Sequence, residues 1–175
     1  MSTVPVFKAG QEIEQIFREH YQFVYRTAYS VTGNVQDAED VLQTIFTGLV
    51  RRDIPADLVK NPRAYLYRAA FNLSLNTIRS RKRQALHNDD VDAVSAIPST
   101  SDSDAHDEME RRLYEAIAEL QPRVAQIVVL RYAHGQSLAE IAKLLGTTRS
   151  SVAVSLFRAR ARLKKLIDVS LERKP

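Results

Sequence analysis

The sequence predicts an all-α chain of two small helical domains joined by an acidic flexible linker. Three observations carry that expectation. Apolar residues recur at three- and four-residue spacing in two long blocks, with almost no alternating strand pattern. Between the blocks, roughly Gln84 to His106, there is no sustained helical period, and Asp, Ser and Thr dominate around Ile97-Pro98-Ser99-Thr100-Ser101. Charge divides the same way. Basic residues crowd Arg51 to Arg83, no Lys or Arg occurs from Gln84 to Glu110, and the chain turns basic again beyond Arg149. Basic blocks joined by an acidic segment point to two polyanion-binding surfaces on one tether.

The first helix is expected over about Gln11 to Val31, with Ile13, Ile16, Phe17, Tyr21, Val24, Ala28 and Val31 in one stripe. Thr32-Gly33-Asn34 breaks it, and Asn34 can cap a second helix whose positive end favours Asp37 and Glu39. On that helix a 100° step places Ala38, Val41, Leu42, Ile45, Phe46 and Leu49 on one side. Asp37, Asp40, Gln43, Thr44, Thr47 and Arg51 fall on the other. Asp53-Ile54-Pro55 stops it, and a loop runs to Asn61-Pro62, a cap followed by proline at the first helical position.

The third helix, Pro62 to about Arg83, has a core face of Leu66, Ala69, Ala70, Leu73 and Thr77. Ala64, Tyr67, Phe71 and Ile78 carry the apolar arc well round the helix. What remains is a stripe of Tyr65, Arg68, Asn72, Asn76, Arg79 and Arg83. Amides and guanidiniums in one line suit phosphates and base edges better than bulk water, for which Glu and Lys serve.

The second block opens with Met109 to Leu120, and Pro122 starts the next helix. Tyr132 to Gln136 forms a turn. Ser137-Leu138-Ala139-Glu140 is a capping box, in which Ser and Glu satisfy each other's backbone donors. The short helix stops at Gly146, and Thr147-Thr148 turns into a last helix, about Arg149 to Ile167, with Val152, Leu156, Ala159, Leu163 and Leu166 inside. A short capped helix, a turn with glycine and a longer basic helix describe a helix-turn-helix.

Composition narrows the chemistry. The 175 residues include no cysteine, which removes disulfides and thiolate chemistry and fits a reducing cytoplasm. Met1 to Gly10 reads as neither signal peptide nor anchor, and no stretch approaches a membrane span, so no membrane insertion is expected. His20, His87, His106 and His134 are scattered without metal-ligand spacing. With no phosphate-binding glycine loop and no paired nucleophile and base, no enzyme, catalytic residue, metal or cofactor is expected.

Several stretches resemble the extracytoplasmic-function (ECF) sigma factors of bacterial RNA polymerase. Asp37-Ala38-Glu39-Asp40-Val41-Leu42-Gln43 with Phe46 looks like their polymerase-binding helix. Asn61 to Arg68, with Asn72 and Arg79, is similar to their promoter-melting helix. Leu120, Pro122, Leu130-Arg131-Tyr132, Gly135, Ser137, Glu140-Ile141-Ala142, Leu145-Gly146, Val152, Leu156 and Arg158-Ala159-Arg160 resemble their second domain. The resemblance implies region two over 11–83, an acidic linker over 84–107 and region four over 108–168.

It also implies roles. Asp37, Asp40, Gln43, Thr44 and Thr47 would dock on core RNA polymerase. Tyr65, Arg68, Asn72, Asn76, Arg79 and Arg83 would hold the melted minus-ten element of promoter DNA, with a flipped base received near Asp53 to Asn61. Thr148, Arg149, Ser150, Ser151 and Ala153 would face the minus-thirty-five element, and Arg158 its phosphates. An anti-sigma factor is the implied regulator. The chain departs from the family's habit at Tyr65, where Trp is common, at Asn76, where Asp is, and at Ala153 and Ser155, where Lys and Arg are frequent. A stand-alone helix-turn-helix regulator is the alternative reading.

Overall fold

A computed structural model describes residues 6–51, 54–87 and 103–172. Among the described residues eight helices follow one another: α1 (Val6–Thr32), α2 (Val35–Arg51), α3 (Ala56–Lys60), α4 (Pro62–His87), α5 (Ser103–Ala118), α6 (Pro122–Tyr132), α7 (Leu138–Leu145) and α8 (Arg149–Glu172). Among the described residues there is no strand. Residues 84–87 close α4 and 103–107 open α5; the remainder of the expected linker lies outside the described residues.

Helices α1, α2 and α4 form a bundle closed at one end by α3. Their core includes Val24, Ala28, Val41, Leu58, Leu66 and Ala70, all buried. The α1–α2 corner follows from its residues. Gly33 takes φ 62°, a left-handed turn that suits glycine, and its amide donates to the Tyr29 carbonyl at 2.8 Å. Asn34 Oδ1 then accepts from the Asp37 amide at 3.0 Å, the expected cap. Asn61 does the same for α4, its Oδ1 accepting from the Ala64 amide at 3.0 Å. The segment expected as a loop after Pro55 instead contains α3. Five residues carry too little periodicity to show as a helix in sequence, and burying Leu58 under α4 holds them in place.

Helices α5 to α8 make the second bundle, with α8 packed on α5, α6 and α7. The capping box forms as expected: the Glu140 amide donates to Ser137 Oγ at 3.3 Å, and the Ser137 amide to Glu140 Oε2 at 2.8 Å. Hydrogen bonds from the Ser137 hydroxyl and backbone hold the Glu140 carboxyl below the usual range. Ser137→Ala is expected to cost about 1 kcal/mol and lower Tm by roughly 2–4 °C for a chain of this size. Calorimetry reads this directly, and an unchanged Tm would show that the cap contributes nothing.

The two bundles are not held apart. Val31, Tyr67, Phe71 and Leu75 of the first lie in one continuous core with Leu120, Ile127, Leu130 and Leu156 of the second. This explains the broad apolar arc on α4. One side of the helix (Leu66, Ala70) faces its own bundle, and a second side (Tyr67, Phe71, Leu75) is covered by the other.

Candidate nucleic-acid interface

Helix α4 is covered on two sides by the two cores, and a third side is open to solvent. Arg68, Asn72, Asn76, Arg79 and Arg83 are exposed there, separated by steps of four, four, three and four residues. At 1.5 Å per residue the line extends about 22 Å. Tyr65, at its start, is half-buried against the first core. Arg68 Nε donates to the Ala64 carbonyl at 3.2 Å, which lays that side chain along the helix. None of Arg68, Arg79 and Arg83 takes part in an ion pair among the described residues, so their charges face outward uncompensated. Tyr67 and Phe71 are fully buried and unavailable for base stacking in this arrangement.

On α2 the expected polar face is mostly present. Asp40, Gln43 and Thr44 are exposed, and Thr47 is half-buried at the edge of a groove with Ile13, Phe17, Phe46 and Val50. Asp37 requires a correction. It is only 8% exposed, and Arg81 of α4 reaches across to its Oδ2 at 2.5 Å. Angular position on one helix placed it outward, but a long cation on a neighbouring helix covers it. Asp37 therefore ties α2 to α4 and is not free to meet a partner.

The helix-turn-helix is built by α7 and α8. Gly146 adopts φ 63°, and the Thr147 amide returns to the Ala142 carbonyl at 2.9 Å, which ends α7 and aims the chain into α8. Thr148 Oγ1 accepts from the Ser151 amide at 3.2 Å, so Thr148 caps the helix it was expected to help read DNA with. Thr148, Arg149, Ser150, Ser151, Ala153 and Arg158 are all exposed, while Val152, Leu156 and Ala159 hold the helix to its bundle.

Two residues that were not singled out in sequence share this outer face. Val154 is 49% exposed and Phe157 76%. Stepping 100° from Val152 and Leu156 puts both opposite the core, so the signal was present. Apolar side chains at such positions are of the type that meets thymine methyl groups in a major groove. Arg160 is held aside, its Nε donating to the Tyr132 hydroxyl at 2.6 Å.

Among the described residues no cluster of three or more His, Asp or Glu could hold a metal ion. Among them, too, no helix is long and apolar enough to cross a membrane. What the surface offers is a basic and amide line on α4 with no ion pair among the described residues, an exposed polar face on α2 and a helix-turn-helix whose last helix is open to solvent along one side.

Comparison with known proteins agrees. The family model for Sigma-70 region 2 matches residues 16–84, and that for Sigma-70 region 4 matches residues 110–163. The ECF RNA polymerase sigma factor SigE of Mycolicibacterium smegmatis is 32% identical over 155 residues, which cover 86% of this chain and 60% of that protein. The ECF RNA polymerase sigma factor SigW of Bacillus subtilis is 26% identical over 167 residues, covering 90% of this chain and 88% of the relative. A solved structure of the sigma factor RpoE with the anti-sigma factor NepR, from Bartonella quintana, is similar in fold. Its TM-score is 0.52 at 20% identity, covering 91% of this chain and 98% of that one. The chain belongs to the sigma-70 family, among the sigma factors of ECF type.

Proposed function

We propose that this chain binds core RNA polymerase and directs promoter-specific initiation, with its labour divided between the two bundles. The α2 face of Asp40, Gln43 and Thr44, with half-buried Thr47 at its edge, docks on the polymerase. The α4 line of Arg68, Asn72, Asn76, Arg79 and Arg83, with Tyr65 at its head, holds the melted minus-ten strand. Its guanidiniums take phosphates and its amides take base edges. The start of α8 enters the major groove of the minus-thirty-five element, and Arg158 fixes orientation through the backbone. The chain acts by positioning rather than by catalysis, and its working compartment is the cytoplasm, where the polymerase is. An anti-sigma protein is the proposed regulator, by analogy with the RpoE–NepR pair.

The single observation that carries this reading is the α4 line. A stand-alone helix-turn-helix regulator has no need of a second, independent DNA-type surface beside a docking helix. Reconstitution with core polymerase on a promoter library, with transcripts read by sequencing, tests it. The expected result is a discrete set of start sites sharing two upstream elements. Starts no different from those of core polymerase alone would reject it.

A further inference from the structure

The outer side of α8 carries a row of side chains that the function just proposed leaves mostly unused. Val152, Leu156, Ala159 and Leu163 are buried. Stepping 100° per residue from them brings Ser150, Val154, Phe157 and Ala161 to within about 50° of the direction opposite the core. All four are exposed. Their spacing of four, three and four residues makes one row along the helix, about 16 Å long at 1.5 Å per residue. No charge stands in that row. Its one hydrogen-bonding side chain is Ser150, whose Oγ lies 3.1 Å from Thr148 Oγ1. Phe157 is 76% exposed, more than any other large apolar side chain among the described residues, and Val154 stands one turn away from it. Together they make a small apolar patch on a helix that is otherwise polar outside.

The flanks of the row indicate what covers it. By the same angles, Arg149 and Arg160 border it on one side and Arg158 and Arg162 on the other, all of them exposed. Arg149, Arg158 and Arg162 have no ion pair among the described residues. Arg160 is braced by Tyr132, whose hydroxyl lies 2.6 Å from its Nε and whose ring centroid lies 5.8 Å from its guanidinium carbon. From Arg149 to Ile167 the chain has no carboxylate side chain. An apolar row between two borders of cations complements a major groove, which has phosphates on both rims, base edges on its floor and a width of about 12 Å that admits one helix. On that floor the purines and cytosine show hydrogen-bonding groups, which need polar partners. Thymine adds a methyl group, which an apolar side chain covers.

Resting on the sigma-factor reading, we propose that Val154 and Phe157 determine specificity at the minus-thirty-five element by reading the C5 methyl groups of thymines. The row spans about five base pairs at 3.4 Å per pair. Val154 and Phe157 stand about 4.5 Å apart along the helix axis, so they meet methyl groups on neighbouring base pairs. The flanking guanidiniums hold phosphates and set the register without reading sequence. 5-Methylcytosine carries its methyl group at the same place in the major groove, so it offers these side chains the same contact as thymine.

Exchanging thymine for uracil removes the methyl group and leaves base pairing intact. Promoters recovered with the wild-type holoenzyme are rebuilt with uracil at each minus-thirty-five thymine in turn, and initiation is measured at limiting holoenzyme. At one or two neighbouring positions uracil should weaken initiation about fourfold per methyl group, equivalent to about 0.8 kcal/mol. At the same positions 5-methylcytosine should outperform cytosine by a similar factor. Phe157→Ser and Val154→Ser leave the core intact, since both side chains are exposed, and each should abolish the uracil penalty at the position it covers. Arg158→Ala, by contrast, should weaken initiation while the uracil penalty persists. Uracil as good as thymine at every position, or a penalty that survives both serine variants, would overturn the proposal. So would serine variants that initiate poorly from promoters indifferent to uracil, which would mark the row as a protein-docking surface. If polymerase ignored the wild-type chain, the sigma reading would fall instead. Duplexes selected by the full chain alone from a random pool, compared with thymine and with uracil, would then decide methyl reading by the same criterion.

Discussion

Replacing Arg68, Arg79 and Arg83 together by alanine is expected to reduce initiation by about a hundredfold. Each guanidinium is exposed and free of ion pairs among the described residues, so its charge is available to DNA. A hydrogen bond to a charged group contributes about 1.5–3 kcal/mol when well ordered, and about 1 kcal/mol is a fair discount for exposed side chains. Three such losses sum to about 3 kcal/mol, or two decades. If the contacts are to phosphates of single-stranded DNA, the salt dependence of binding should flatten too, with a slope smaller by about 2. Helical content stays at the wild-type level, because none of the three belongs to either core. A triple variant that initiates normally would remove α4 from the DNA interface. Asn72→Ala and Asn76→Ala should act differently, changing which minus-ten sequences are used with little effect on the salt slope.

Asp40→Arg is expected to weaken association with core polymerase by about thirty- to a hundredfold. The side chain is exposed on α2, so a longer cation meets no clash in the free chain. Reversing a charge at a docking surface replaces an attraction by a repulsion, which costs several kcal/mol at close contact and about 2–3 kcal/mol at a partly hydrated one. Circular dichroism and Tm should stay close to wild type. Asp37→Arg provides the contrast. Burying a second cation against Arg81 would break the α2–α4 tie and lower Tm, with polymerase binding lost only through unfolding. Equal polymerase affinity for Asp40→Arg and the wild type would show that the face is merely solvated.

Local chemistry made much of the fold legible. Asn34, Asn61-Pro62, the Ser137–Glu140 box and Gly146 each punctuate a helix by hydrogen bonding within a few residues, and each does so where expected. The α4 line was legible because a stripe of amides and guanidiniums stands out against two apolar sides. What could not be seen were events between helices. The Arg81–Asp37 pair spans α4 and α2, and no angle measured on α2 alone reveals it. Tyr67 and Phe71 read correctly as buried, but the partner that buries them is the other bundle, and helical periodicity does not record which neighbour covers an apolar face. Helix α3 escaped because five residues hold too few turns for a period. Val154 and Phe157 do not stand out by polarity, because the outer face of α8 is partly apolar; only their angle from Val152 and Leu156 marks them as outward.

On the proposed function, two separate modules read one promoter while polymerase sets the distance between them. Changing the spacer between the two elements tests it most directly. Inserting five base pairs rotates one element by about half a helical turn relative to the other, which a rigidly held pair of readers cannot follow. Initiation by the reconstituted holoenzyme should fall at least tenfold, whereas each element offered alone keeps its binding. Undiminished initiation across that insertion would mean that polymerase does not fix the distance between the two modules.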